Sequence, residues 1–241
     1  MNSLCHQQLG LILLRKGQIE AALKEARGAV ELGPESSPAY KLLVACLSKM
    51  GRVDEAITVA RDGLAEYPFN ADLHHSFGLT LAQKKDFVAA ARHFIYALLL
   101  DPNRAEAQSN LRVAFYVIGK TQDGMTKLRE IESFAPNDPV ILAELGWFFA
   151  TQPDSTMRNG AEAVRLAERA SDLIDRPDPR ILLTLAAAYG EAARIPDAIR
   201  IAEKARVQAG SDRNNEMVAL SERLLGAFQN GHAYHEKQPK K

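Results

Sequence analysis

The chain has 241 residues, 30 of them basic and 30 acidic, so it carries no net charge at neutral pH and has no general attraction to nucleic acid or anionic lipid. Its two cysteines, Cys5 and Cys46, are too few for a disulfide framework and sit on helix-forming stretches as small core residues. No segment reaches the roughly 20 apolar residues that cross a bilayer. The run Leu11 to Leu14 lacks a cleavage-site pattern, so a soluble, cytoplasmic protein with no membrane contact of its own is expected.

Read from the start, the chain repeats itself. Pro34, Pro68, Pro102 and Pro136 are spaced by 34 residues, and a period of that size marks a solenoid. A first unit over 3–36 has Gly17 at the turn between two helices, where a left-handed residue is useful. A second unit over 37–70 opens on Ser37-Pro38 as cap and first turn, with Gly51 in the turn. The third, 71–104, shows the template most plainly. Phe77, Gly78 and Leu81 share one face of its first helix, Ala90, Phe94 and Ala97 one face of its second, and the turn falls at Lys85–Asp86.

The fourth unit, 105–138, departs most. Arg112 stands where a small residue is expected and Gly124 where alanine is expected, which suggests that the missing methyl of Gly124 makes room for the Arg112 stem. Gly119 fills the turn position, and this unit is the expected soft point of the array. The fifth, 139–178, carries a polar, turn-rich insertion, TQPDSTMRNG, over 151–160, which lengthens the link between its helices. The sixth, 179–212, has Pro196 at the start of its second helix. A capping helix over 214–229 carries Met217, Leu220, Leu224 and Phe228 on one stripe, making 1–230 one repeat array. The remaining 231–241 reads as a polar tail, disordered beyond Tyr234.

The small positions stay in phase throughout. The first helices supply Gly10, Val44, Gly78, Arg112, Gly146 and Ala186. The second helices supply Ala22, Ala56, Ala90, Gly124, Ala163 and Ala198, then Ala29, Gly63, Ala97, Ile131, Ala170 and Ala205. Small residues are needed where helix axes cross closely. With Leu9, Leu43, Phe77, Leu111, Leu145 and Leu185 beside them, these matches resemble the tetratricopeptide repeat family over nearly the whole chain. The resemblance implies an all-α, right-handed α-solenoid of about six helix pairs plus a C-terminal capping helix. Repeats five and six are similar to a bacterial subgroup, through Gly146-Trp147, Asn159-Gly160 with AEAVRLAERA, and TLAAAYGEA. Members of that subgroup often carry such repeats at the end of a larger membrane or sugar-transfer protein.

No catalytic motif emerges. Gly119-Lys120-Thr121 has Ala114 where a phosphate-binding loop needs glycine, and it follows helix rather than strand. His74-His75 and His232 with His235 lack further ligands at metal spacing and read as exposed histidines. No cofactor or metal is expected. Some tetratricopeptide domains clamp a partner's C-terminal carboxylate with lysine, asparagine and arginine. Here the fifth positions are Gln7, Lys41, His75 and Ser109 and the ninth are Leu11, Ala45, Leu79 and Val113, so only Lys41 fits, and Asn110 stands isolated.

The function expected is therefore a non-enzymatic protein-interaction scaffold that takes a peptide or protein segment on a concave face. The subgroup resemblance implies an alternative, a regulatory or substrate-presenting arm of a larger enzyme such as a glycosyltransferase. The residues expected on the inner face are Leu11, Leu14, Lys41, His75, Leu79, Val113, Tyr116 and Trp147, with Trp147 either lining the groove or packed under the 151–160 insertion. Charges such as Lys24, Arg61, Arg92 and Lys127 fall on the outer faces of second helices.

Overall fold

The computed structural model describes residues 2–236, all helix, turn and loop with no strand among them. The helices run in pairs: α1 (Ser3–Arg15) with α2 (Ile19–Leu32), α3 (Ser37–Lys49) with α4 (Val53–Glu66), and α5 (Ala71–Gln83) with α6 (Phe87–Leu100). Next come α7 (Ala105–Gly119) and α8 (Gly124–Glu132), then α9 (Pro139–Thr151) and α10 (Gly160–Asp172). The last are α11 (Pro179–Glu191), α12 (Ile195–Ser211) and α13 (Asn215–Gln229). This is an all-α helical repeat of the solenoid type.

Two compact units divide the chain, Met1–Ala114 and Phe115–Lys241. Within the first, α1 packs on α2, α3 on α4 and α5 on α6, while α1, α3 and α5 also pack in succession. Within the second, α9 packs on α10 and α11, α11 on α12, and α13 covers α12 and α11. Helix α9 is buried from Ile141 to Thr151, which accounts for its nearly continuous apolar sequence.

Local chemistry fixes the helix ends. Side chains of Asn2, Asn70, Asp86, Asp138, Asn159, Asp178 and Asn214 each accept a hydrogen bond from a first-turn amide, satisfying donors that the helix leaves unpaired. The cap of α3 is Ser36, with no side-chain bond. Ser37 lies one residue inside and accepts from Asn70 instead.

The inter-helix turn is also repeated. Gly17, Gly51 and Lys85 occupy left-handed conformations one period apart. After each, the next amide bonds back across the turn: Gln18 to Leu13, Arg52 to Leu47 and Asp86 to Leu81. That is the closure expected of a left-handed helix stop. Lysine therefore does in the third unit what glycine does in the first two. Gly119 does not share this role: it ends α7 without a positive φ, and a methyl there would lie 2.9 Å from the Phe148 ring.

Arg112 and Gly124 do not compensate each other. Arg112 is exposed, and the space at Gly124 is taken by backbone: an added Cβ would sit 2.5 Å from the Ile118 carbonyl oxygen and 2.9 Å from Gly119 Cα. Glycine here lets the start of α8 close against the end of α7. Gly124→Ala is expected to destabilise the protein by about 1–3 kcal/mol in a denaturant titration, because backbone cannot move aside as a side chain can. A gain of stability on that substitution would contradict the close approach.

Candidate protein-binding face

Within the first unit the first helices carry equivalent positions, since residues 34 apart occupy the same place in each repeat. In the first unit this series brings α1, α3, α5 and the start of α7 into use. Leu11 and Leu14 are half-buried on α1, Lys41 is exposed on α3, and His75 is half-buried on α5. Leu79 on α5 is 45% exposed and Val113 on α7 is 55% exposed. These two, exactly one period apart in sequence, are the apolar side chains most open on the series.

Several polar groups around them are already paired, although Arg104 Nε has no hydrogen-bond partner among the described residues. Asp72, at the start of α5, lies 3.1 Å from Lys41 Nζ and 2.7 Å from Arg104 Nη1. Burial works to raise the Asp72 carboxyl, but the hydrogen bonds and charges of Lys41 and Arg104 outweigh it and hold the group below the usual carboxylate range. Asn110 is not isolated: its Nδ2 donates to His75 Nε2 at 2.9 Å. That bond leaves the His75 proton on Nδ1 and the ring neutral. Burial lowers the His75 pKa, and the Arg104 charge adds to the effect. Asp72 and Arg104 are not singled out by the sequence reading, and Asn110 is read there as isolated. Their signal is an opposite-charge or polar pair separated by about one repeat, as in Arg104 with Asp72 at 32 residues and Asn110 with His75 at 35.

The remaining two candidates belong to the second unit. Tyr116 is half-buried on α7, with Lys120 Nζ 4.1 Å from its ring centre. Trp147 on α9 is only 6% exposed, so it lines no open groove. Trp147 Nε1 donates to Glu236 Oε1 at 2.7 Å, and the Tyr234 ring lies 6.0 Å away. The tail beyond Tyr234 is thus placed, not disordered, as far as Glu236, and 237–241 lie outside the described residues.

The insertion itself is shaped by Arg158, which donates to the carbonyl oxygens of Gln152 and Pro153 and pairs with Glu191 at 2.9 Å. A 3-10 turn at Ser155–Met157 buries Met157.

The histidines differ from expectation as well. His74 is buried, and its Nε2 donates to the Pro68 carbonyl oxygen at 2.9 Å. Its Nδ1 must then accept, and His93 Nδ1 supplies the proton at 3.0 Å. Both rings are neutral in this arrangement, with Tyr96 stacked on His74 at 5.0 Å and Phe77 against His93 at 4.3 Å. Among the described residues, no three His, Cys, Asp or Glu side chains converge to hold a metal ion.

Paired helices with in-phase small residues define a helical-repeat protein. The sequence model described as "Tetratricopeptide repeat" matches residues 13–76. A tetratricopeptide repeat protein from Parabacteroides merdae is 16% identical, with 91% of this chain and 84% of that one aligned at a TM-score of 0.45. For pilF of Pseudomonas aeruginosa the identity is 20%, the coverage 90% and 96%, and the TM-score 0.46. The TPR2AB domain of yeast Sti1, solved with pHSP90, is 13% identical over 91% of this chain and 98% of that one, at 0.43. No curated protein matches this sequence. No helix among the described residues is long and apolar enough to cross a membrane. Folds of this repeat type commonly mediate protein–protein interaction and are generally not enzymatic.

The paired histidines give the protein an acid-sensitive core. Burial, reinforced by His74, Arg61 and Arg92, pushes His93 from 6.5 down to about 4, and burial also lowers His74. Between those limits the unfolded chain binds protons that the folded chain does not, so stability falls as pH falls from about 6.5 to about 4 and is level above that window. The melting temperature is expected to drop across it, and His93→Gln, which keeps a donor but does not titrate, is expected to flatten the drop. Equal acid slopes for both proteins would contradict this account.

Proposed function

We propose that this protein is a non-catalytic binding module that holds a peptide or protein segment on the first-helix face of its first unit. Leu79 and Val113 serve as apolar anchors there, Lys41, Asp72 and Arg104 form a charged border, and Leu11 and Leu14 extend the surface along α1. The observation that carries this reading is the exposure of Leu79 and Val113 at equivalent positions of consecutive repeats, 45% and 55%, beside Lys41, Asp72 and Asn110, which already have partners. A partner landing there covers apolar surface without leaving those groups unpaired, which is the combination that favours binding. The helices are fixed by packing before the partner arrives, so little order has to be gained on association. The charged border contains both signs, so the partner is recognised by its apolar side chains, with charge setting orientation.

The test starts from peptides selected from a random library on the natural protein. Leu79→Glu and Val113→Glu are each expected to weaken the selected peptides by about tenfold or more. The far-UV circular dichroism and melting temperature are expected to stay close to those of the natural protein, since both positions face solvent. Peptides that bind both variants as tightly as the natural protein would place the site elsewhere.

A further inference from the structure

The first helices of the second unit are not bare. Trp147 on α9 falls 34 residues after Val113, at the same position of its repeat, yet it is covered by the chain's own residues Tyr234 to Glu236. Three successive residues make four contacts. The Tyr234 ring packs at 6.0 Å from the Trp147 ring, tilted by 45°. His235 Nε2 lies 2.8 Å from Glu191 Oε2 on α11. Glu236 accepts from Trp147 Nε1 at 2.7 Å through its carboxylate, and its backbone amide donates to the Thr151 carbonyl oxygen at 2.8 Å.

Each group on the receiving side is prepared for an extended chain. The carbonyl of Thr151 is one of those that the C-terminal end of α9 leaves unpaired. The Trp147 indole offers a single donor next to a broad apolar ring. Glu191 is held in place by Arg158 at 2.9 Å, in a pair whose side chains are 15% and 16% exposed. None of the tail's own groups is special to an intramolecular ligand. An aromatic ring, a carboxylate two residues later and one backbone amide suffice, and any extended peptide with those groups can supply them.

The tail is joined so that it can leave. Helix α13 ends at Gln229, and its stop is completed by the left-handed Gly231 and the His232 amide bonding to the Ala227 carbonyl oxygen. The cover begins only at Tyr234, so lifting it breaks no bond of α13. His235 remains exposed while seated, which leaves the strip open to competition from solvent.

We propose that the face of α9 and α11 is a second peptide-binding site, specific for an extended segment with an aromatic residue two positions before an acidic one, and that residues 234–236 occupy it as a displaceable internal ligand. This extends the reading of first-helix faces as binding surfaces, but it rests on different residues. Because the internal segment is tethered, it competes at a high effective concentration, and a partner peptide meets a site that is mostly closed.

The experiment uses a fluorescently labelled peptide of the chain's own sequence GHAYHE (residues 231–236) and full-length protein. Tyr234→Ala with Glu236→Ala, which empties the site, is expected to bind the peptide at least about tenfold more tightly than the natural protein. Adding Trp147→Phe to that double variant is expected to weaken binding again by about tenfold with helix content unchanged by circular dichroism. A peptide with glutamine in place of its glutamate is expected to lose affinity similarly. Glu236→Ala alone gives an independent readout, a red shift and greater acrylamide quenching of Trp147, the chain's single tryptophan. No peptide binding to the double variant, or equal binding to it and the natural protein, overturns the proposal, as does an unchanged Trp147 signal. Leu79→Glu is expected to leave this peptide's binding intact, so the two sites stand or fall separately.

Discussion

The close crossing of paired helices is the constraint on which everything else depends. Helices of 13 or 14 residues are marginal on their own, and their stability comes from packing an apolar face. The crossing is tight because one side has no side chain. Within a pair, a methyl on Gly78 would lie 2.6 Å from the Phe94 ring; beyond the pair, one on Gly10 would lie 2.7 Å from Leu42 of α3 and one on Gly190 2.5 Å from the Phe228 ring of α13. Opposite them Ala22, Ala56, Ala90, Ala163 and Ala198 are completely buried. With so little between the axes, large residues beside the crossings reach the next helix, and within the first unit α1, α3 and α5 pack in succession.

That geometry decides what is left for function. The first helices keep positions such as Leu79 and Val113 at the surface. Polar residues near those positions pair across one repeat, Lys41 and Arg104 with Asp72, Asn110 with His75. Such exposed or half-exposed pairs add little stability, but they hold side chains in fixed places. In the second unit the same kind of face is covered by Tyr234 and Glu236, so equivalent helices meet different surroundings. The His74–His93 pair, with His74 buried and His93 half-buried, is a structural element of the first unit, set where metal ligands could have been suspected.

Much of the fold was legible because it is periodic. Through the first four units the prolines, the small-residue columns and the turns at Gly17 and Gly51 repeat at 34 residues, and one period error would have broken every column together. What could not be read depends on contacts without a period. Nothing in the order Trp147 to Glu236, 89 residues apart, marks them as partners, and a polar C-terminal segment ordinarily reads as loose chain. Arg112 and Gly124 seemed to be partners because two adjacent columns were broken at once. The structure instead fills the Gly124 space with the backbone of Ile118 and Gly119, which composition alone does not display. Leu79 and Val113 were identified from their places in the repeat, whereas Asp72 and Asn110 become visible only when polar residues one repeat apart are considered as pairs.

The central claim, that glycine at the crossing positions is required by contact rather than tolerated, is tested most directly by comparing two glycine-to-alanine substitutions in helices. Gly226 in α13 has nothing within 4 Å of its added methyl, whereas Gly78 in α5 faces the buried Phe94 ring. In urea titrations the account predicts that Gly226→Ala gains about 0.5–1 kcal/mol from helix propensity, while Gly78→Ala loses about 1–3 kcal/mol from overpacking. Equal gains at both positions would contradict it.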